Sequence, residues 1–265
     1  MPETDSSPRH GSHGGELASR FGIRAALAGV ALALVAVPFA LLWLLVEEQW
    51  RPLLNVDEGS RDALHRLALD HDRFVSVLRA VSFAGSSPVY TVVFAVEMGW
   101  LLRRGLRNLA LFVVVTIVGS ALLNALVKQA VDRSRPVLPD PLVHLTSKSF
   151  PSGHAQAAIV AYGVLLLLFL PALRGRWRHL AVAIAVLMVA AIGFSRVGLG
   201  AHYVSDVLAG YVLGAAWLAA TTAAFSAWRR EQGRPGVDPT RGLEPEHAEV
   251  LDPRNPGPPE ASSSG

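Results

Sequence analysis

The sequence predicts an all-α integral membrane protein, a bundle of six transmembrane helices with an extracytoplasmic amphipathic helix between the first and second spans. Three observations support this fold class. Hydrophobic residues make up 51% of the 265-residue chain and charged residues only 17%, whereas soluble domains carry roughly 25% charged residues. The apolar residues form runs about as long as a bilayer crossing. Basic residues lie mostly between these runs.

Composition excludes several functional classes. The chain has no cysteine, which rules out disulfides, thiol nucleophiles and cysteine-ligated metals and leaves the redox compartment undetermined. The formal net charge is only +3, and the arginines form no continuous basic patch. We therefore expect no nucleic-acid partner.

A single membrane domain, residues 21–230, is predicted between two polar tails. Residues 1–20 and 231–265 are rich in Ser, Gly and Pro, which predicts disorder. The first span is Ala25–Val46, with a helix-kinking proline at Pro38 that neighbouring helices can accommodate. A secretory signal peptide is the alternative for this run, but its apolar core is too long and no small-residue cleavage site follows it.

The stretch Glu47–Ser87 is polar overall but has helical periodicity. An apolar stripe on one face and charged residues on the other predict an amphipathic helix on the membrane surface. This helix can be a cover packed on the bundle or a gate for a lipid substrate, and both alternatives remain open. The stripe comprises Leu64, Leu67, Phe74, Val75, Leu78 and Val81.

Five further apolar runs complete the bundle. Glu97 lies in the second span, where an ionisable residue is a functional candidate, but its position near Arg103 favours snorkelling or pairing with an arginine. The runs are Pro88–Leu102, Leu106–Val127, Ala155–Leu170, Leu180–Phe194 and Tyr203–Phe225.

The arginines between the spans predict the orientation. With six spans, both termini lie on the same side, and every arginine cluster falls on that side: Arg20 and Arg24, 103–107, 174–178, and Arg229 with Arg230. The positive-inside rule makes this face cytoplasmic. The protein is therefore expected to be a multi-pass cell-membrane protein with both termini cytoplasmic.

Three polar clusters are predicted to meet at the opposite, extracytoplasmic face. In the first, Lys128 ends a span and Arg135 follows seven residues later. A lysine and an arginine near the end of a span usually snorkel to the interface, which is the alternative here. Cations on the face that should be poor in them favour an anionic ligand. Arg133 competes with Arg135 for this role, and its function stays undetermined at this point.

The second cluster, Ser152-Gly153-His154, opens the fourth span. Serine caps helix N-termini, which bind anions through free N–H groups. Gly153 allows close backbone approach, and His154 can protonate a leaving oxygen. An ordinary serine cap beside an interfacial histidine is the alternative interpretation.

The third cluster comprises Arg196, His202 and Asp206. Residues four apart share a helix face, so Asp206 can fix the tautomer of His202. Arg196 has a donor fork suited to phosphate oxygens. A purely structural histidine is the alternative for this cluster alone, but the three clusters together supply what phosphoryl transfer needs.

The order and spacing of these motifs resemble the type 2 phosphatidic acid phosphatase superfamily. The pattern is Lys, six residues, Arg-Pro; then Pro-Ser-Gly-His; then Ser-Arg, five residues, His, three residues, Asp. It falls on residues 128–136, 151–154 and 195–206. The six-span layout extends the resemblance to roughly residues 25–225.

The resemblance implies a role for each matched residue. His202 is expected to be the nucleophile that forms a phosphohistidine, Asp206 its orienting partner, and His154 the general acid. The expected phosphate cradle comprises Lys128, Arg135, Ser152, Gly153 and Arg196. Phosphatases of this family require no metal or other cofactor, and none is expected here.

The expected function is that of an integral membrane lipid phosphatase with its site at the outer interface. Its partners would be the bilayer and a lipid phosphomonoester or diphosphate, such as undecaprenyl diphosphate, phosphatidate or phosphatidylglycerophosphate. The alternatives are a non-catalytic protein that binds lipid phosphate or transports an anion, and a phosphatase for a soluble phosphate ester. Vanadate haloperoxidases of the superfamily are soluble, which disfavours that activity here. The oligomeric state is not predicted.

Overall fold

A computed structural model of the protein describes residues 36–143 and 145–252. The tail 1–20, the start of the first predicted span and residues 253–265 lie outside this part. Helices form almost all of its regular structure. They are α1 Ala36–Glu47, α2 Arg51–Leu69, α3 Asp72–Ala84, α4 Ser87–Arg103, α5 Arg107–Ala130, α6 Gly153–Phe169, α7 Arg176–Gly198 and α8 Val204–Glu231, with short 3₁₀ helices at Leu170–Ala172 and Pro245–His247.

Five helical stretches among the described residues are long and apolar enough to cross a membrane. Asp72–Arg103, formed by α3 and α4, is one of them. The others are α5, α6 with the 3₁₀ turn after it, α7 and α8. The all-helical, multi-span class is therefore confirmed. The predicted count of six depends on residues before α1, a shorter apolar helix, and stays a prediction.

The predicted amphipathic stretch Glu47–Ser87 forms two principal helices instead of one. The chain leaves α2 at Asp70 and His71, which are poor helix formers, and the His71 ring lies 3.0 Å from the carbonyl oxygen of Leu67. Both helices pack on the bundle, with α2 against α7 and α8 and α3 against α7. Val75 and Leu78 of the stripe are buried in this contact, whereas Leu67 is exposed.

A glycine allows α8 to approach the N-terminus of α6 closely. A Cβ atom at Gly210 would lie 2.5 Å from the carbonyl oxygen of Ser152, which no side chain can tolerate. The backbone N–H of Ser152 also donates a hydrogen bond to the carbonyl oxygen of Asp206, at 2.9 Å. The contact between α6 and α8 therefore sets two of the three predicted clusters side by side.

The sequence favoured a Glu97 that snorkels to the interface or pairs with an arginine. Within the described residues, Glu97 does neither. Its side chain is 6% exposed, and neither carboxylate oxygen has a hydrogen-bond partner. The buried face of α4 carries Glu97 together with Phe94 and Leu101. The helix therefore turns this residue towards the bundle and away from the interface.

Residues 232–252, which the composition predicted to be disordered, fold back on the end of the bundle. We call this segment the C-terminal strap. Arg229 at the end of α8 is 1% exposed and donates to Glu244 at 2.8 Å and to Glu246. Leu243 and Leu251 of the strap join the main core. The strap folds because it supplies carboxylates for a buried cation and leucines for the core.

We expect Glu244→Ala to lower the free energy of unfolding by about 3 kcal/mol, because it removes a buried carboxylate partner of the Arg229 cation. Thermal unfolding in detergent measures this loss. The matched control is Glu231→Ala, which removes an exposed carboxylate and should leave the midpoint unchanged. Equal midpoints for the two variants would show that the strap does not stabilise the bundle.

Candidate functional site

The structure brings the three predicted clusters together at one end of the bundle. The guanidinium of Arg135 lies 3.2 Å from the His202 ring. His154 lies within electrostatic reach of both residues and of Arg196 and Lys128. Asp206 lies 3.4 Å from the same ring, and Ser152 and Gly153 directly precede His154 at the start of α6. All eight predicted site residues therefore lie close together.

His202 sits in a turn between α7 and α8 that depends on a glycine. Gly200 has a φ of 67°, a left-handed conformation that favours glycine. After it, the N–H groups of Ala201 and His202 both donate to the carbonyl oxygen of Arg196, at 3.0 and 3.2 Å. The turn holds the His202 ring in a buried position, 2% exposed.

The contacts of His202 select one tautomer. Nε2 faces Nη1 of Arg135, and a guanidinium can only donate, so Nε2 carries the lone pair. Nδ1 faces Oδ2 of Asp206 at 3.4 Å and therefore carries the hydrogen. This is the tautomer that a nucleophilic Nε2 requires.

Burial lowers the pKa of His202 to about 4. Asp206 raises the pKa of the ring, whereas Arg135 and Arg196 lower it in the same direction as burial. His202 is consequently neutral near pH 7, with its lone pair directed towards the cations.

The carboxylate of Asp206 is fixed from several sides. Its Oδ2 accepts from the Ser149 hydroxyl and, at 3.0 Å, from the backbone N–H of Tyr203. Its Oδ1 accepts from Nη1 of Arg133 at 2.6 Å. The residue is completely buried, so it presents one rigid oxygen to His202.

Arg133, the competitor of Arg135 in the sequence, faces the interior. It donates to Asp206 and, at 2.8 Å, to Asp57 of α2, and it stacks on the Tyr203 ring at 4.3 Å. Burial opposes its charge, but the two carboxylates outweigh burial and raise the pKa of Arg133. We therefore interpret Arg133 as a residue that positions Asp206.

Asp57 joins the amphipathic segment to the start of α8. Its carboxylate accepts from the backbone N–H of Ser205 at 2.9 Å and from the Ser205 hydroxyl at 2.5 Å. Sequence reasoning missed Asp57, because an acidic residue on a surface-type helix gives no signal of a partner far along the chain. Ser149 and Ser205 were also missed, because a serine in the sequence gives no signal of a partner far along the chain.

The three remaining cations point their donors at neutral groups. Arg135 donates to the carbonyl oxygens of Ser147 at 2.7 Å and Ala201 at 2.6 Å. Nη1 of Arg196 donates to the Ser82 hydroxyl at 2.5 Å, while its Nε is buried without a partner.

Lys128 completes this set, and its ammonium donates to the carbonyl oxygen of Lys148 at 2.9 Å. Within residues 36–143 and 145–252, no carboxylate lies within ion-pair distance of Lys128, Arg135 or Arg196. Their positive charge is therefore available to an anion.

The first turn of α6 provides the uncharged part of the site. Ser152 is the N-cap, and its hydroxyl accepts from the backbone N–H of Ala155 at 3.5 Å. A Cβ atom at Gly153 would lie 3.2 Å from the side-chain oxygen of Asn124, so glycine keeps this turn open. His154 is partly buried one residue further on.

These features define an all-helical, multi-span protein with a buried histidine that faces an arginine without a carboxylate partner among the described residues. A sequence profile of the PAP2 superfamily matches residues 109–230, a stretch that contains all eight predicted site residues. Residues 109–230 of the chain form a PAP2 superfamily domain, which confirms the family resemblance.

Two curated relatives are lipid phosphatases by name. Over 96 residues the chain is 43% identical to phosphatidylglycerophosphatase B of Bacillus subtilis, covering 35% of this chain and 46% of that protein. Over 117 residues it is 36% identical to the lipid A 1-phosphatase of Rhizobium johnstonii, covering 41% of this chain and 44% of that protein. The chain thus spans about half the length of the curated relatives it matches.

A solved structure shares the fold. It is the crystal structure of a transmembrane PAP2 type phosphatidylglycerolphosphate phosphatase from Bacillus subtilis, with a TM-score of 0.66 and 24% sequence identity. The match covers 76% of this chain and 96% of that chain. Most of the bundle described above is therefore a known architecture.

We expect Arg196→Gln to weaken the binding of inorganic phosphate at least about tenfold, because it removes a charge-assisted hydrogen-bond donor from the site. Calorimetric titration of the purified protein measures the affinity. Arg103→Gln, which removes an exposed charge at the end of α4, is the control. An unchanged affinity in Arg196→Gln would place Arg196 outside the phosphate cradle.

Proposed function

We propose that the protein is an integral membrane lipid phosphatase that releases phosphate from a lipid phosphomonoester or diphosphate. One observation carries the proposal: Arg135 and Arg196 act on the neutral His202, and Lys128 lies within electrostatic reach of both arginines. Among the described residues, no carboxylate pairs with any of these three cations. Cations alone would suffice for a binding or transport protein. A neutral, correctly oriented histidine is what a nucleophilic mechanism adds.

In the first step, the three cations and the first turn of α6 hold the oxygens of the phosphoryl group. Nε2 of His202 attacks phosphorus, so that a P–N bond forms while the P–O bond to the lipid breaks in line with it. His154 gives a proton to the leaving oxygen. Arg135 moves from Nε2 to a phosphate oxygen, and Asp206 stabilises the positive ring through Nδ1–H.

In the second step, water attacks the phosphohistidine. His154, now unprotonated, accepts a proton from this water, the P–N bond breaks, and inorganic phosphate leaves. The mechanism uses no metal. Asp206 beside His202 already accepts from Arg133, and Asp57 accepts from Arg133 and Ser205. Carboxylates occupied in this way favour metal-independent chemistry.

An apolar groove supports a lipid substrate over a soluble one. It lies between α4, α5 and α6, has a volume of about 550 Å³, and reaches Gly153 and His154. A hydrocarbon chain in this groove would place its phosphate beside the cradle. The groove is lined largely by apolar and aromatic residues, among them Tyr90, Phe94, Val118 and Val160.

Three lipids are candidate substrates: undecaprenyl diphosphate, phosphatidate and phosphatidylglycerophosphate. The proposed cradle would contact the phosphate that all of them share and therefore does not distinguish between them. The names of the relatives add support for a lipid phosphate in general. A panel of substrates is needed to select one.

Phosphate release in detergent tests the proposal directly. We expect release from at least one of the three lipids, little from a soluble sugar phosphate, no release by His202→Ala, and no loss of activity in EDTA. Thermal unfolding and phosphate binding confirm that His202→Ala is folded. Release from none of the lipids by the folded wild type would favour a binding or transport protein.

The dependence on pH tests the state of His202. Protonation removes the attacking lone pair, so activity should persist below pH 7 and decline only as the pH falls through about 4, where burial places the pKa of His202. Arg135→Gln removes a charge that lowers this pKa and should move the decline to higher pH. The measurement is kcat/KM against pH, after allowance for ionisation of the substrate. A wild-type decline near the ordinary histidine pKa of about 6.5 would contradict this assignment.

We further propose that the site faces the cell exterior and that both termini are cytoplasmic. Three arginine clusters lie at the helix ends remote from the site, at 103–107, 174–178 and 229–230. The positive-inside rule assigns these helix ends to the cytoplasm. The chain has no native cysteine, so one cysteine introduced at Val137 tests this orientation. An impermeant maleimide should label it in intact cells, and labelling only after lysis would reverse the orientation.

A further inference from the structure

A second groove lies between α6 and α8, in the half of the bundle remote from the candidate site. Its volume is about 600 Å³. Ile159 and Leu166 of α6 and Leu218 and Ala219 of α8 line its apolar part. Val237 and Pro239, both in the C-terminal strap, lie at its mouth. The groove is therefore apolar within the membrane and bordered by the strap at the interface.

The mouth of the groove is polar on the α8 side. Thr222, Ser226 and Arg230 follow one another at intervals of four residues, so they share one helix face, and all three line the groove. Thr222 is 8% exposed, and its hydroxyl has no hydrogen-bond partner. A buried hydroxyl without a partner is costly unless a ligand or water satisfies it.

The two adjacent arginines at the end of α8 differ in their pairing. Arg229 is buried between Glu244 and Glu246. Arg230 is exposed, and within the described part of the chain it donates to Ser226 alone, to the carbonyl oxygen at 3.2 Å and to the hydroxyl at 2.8 Å. Among the described residues, no carboxylate lies within ion-pair distance of Arg230.

The acidic residue of the strap nearest the mouth does not neutralise Arg230. Asp238 lies between the lining residues Val237 and Pro239, but its carboxylate accepts from the backbone N–H and the hydroxyl of Thr240, at 2.9 and 2.7 Å. Among the described residues, the groove therefore combines an apolar body, a lining threonine whose buried hydroxyl has no hydrogen-bond partner, and an arginine without a carboxylate partner.

We propose that this groove binds one anionic phospholipid from the leaflet opposite the candidate site. An acyl chain occupies the space between α6 and α8, the Thr222 hydroxyl donates to an ester oxygen, and Arg230 binds the phosphate. The lipid thereby bridges two helices whose other ends carry His154 and Asp206. This site is separate from the phosphate cradle, and its occupancy does not depend on whether the protein is a phosphatase.

Native mass spectrometry of delipidated protein tests the site. Phosphatidylglycerol and phosphatidylcholine are titrated separately, with excess inorganic phosphate present to fill the cradle. Wild type should retain one phosphatidylglycerol in preference to phosphatidylcholine. Arg230→Gln should lower the affinity for phosphatidylglycerol by about fivefold or more and leave that for phosphatidylcholine unchanged. The matched control, Arg103→Gln, removes an exposed charge from the same end of the bundle outside the groove and should change neither.

A second variant tests whether the acyl chain lies in the groove. Ala219→Phe places a ring in the apolar part and should abolish specific retention of phosphatidylglycerol. Thr222→Val keeps the side-chain shape and should weaken retention measurably, which keeps the test valid if the larger substitution prevents folding. The proposal is overturned if Arg230→Gln behaves like Arg103→Gln, or if folded groove variants bind phosphatidylglycerol as wild type does.

Discussion

The ion pair between Arg133 and Asp206 is the interaction on which the site depends. It links the segment after α5 to the first turn of α8, and its second guanidinium nitrogen extends the link to Asp57 of α2. Asp206 in turn lies 3.4 Å from Nδ1 of His202 and accepts from Ser149. Buried charges are costly without partners, so each of these groups requires the others. The network fixes where the histidine ring stands relative to three separate segments of the chain.

This arrangement also divides the positive charge between two functions. Arg133 neutralises the carboxylates behind His202, whereas Arg135, two residues later, faces the ring from the other side. Lys128 and Arg196 add charge on the side of Arg135. The carboxylates are consequently paired with Arg133, and the cations on the other side of the ring keep their charge for the phosphate that we propose as ligand. One short irregular segment, residues 131–136, supplies both functions.

The same hydrogen-bond network also ties the amphipathic segment, Glu47–Ser87, to the bundle. Asp57 accepts from the backbone N–H and hydroxyl of Ser205 at the start of α8, and Ser82 of α3 accepts from Arg196. Both helices of the segment are therefore tied to site residues. Of the two alternatives that the sequence left open, these contacts favour a cover packed on the bundle.

Hydropathy and motif spacing predicted the helical bundle and the meeting of Lys128, His154 and His202, because helix length and alternation across the bilayer determine which ends share a face. They could not separate the roles of Arg133 and Arg135, which lie two residues apart in an irregular segment where no periodicity applies. The role of Asp57 could not be predicted, because its partners lie far along the chain. The strap was missed because its composition resembles that of disordered tails. Its order comes from the ion pairs with the buried Arg229 and from Leu243 and Leu251 in the core.

Trapping the covalent intermediate tests the central claim most directly. Protein mixed briefly with a lipid substrate carrying radioactive phosphate, and quenched in base, should retain label that is stable to alkali and labile to acid, as a phosphohistidine is. We expect this label on His202 in wild type, none in His202→Ala, and slower formation in Asp57→Asn, which weakens the support of Asp206. Turnover without any such label, or label retained in His202→Ala, would contradict the account.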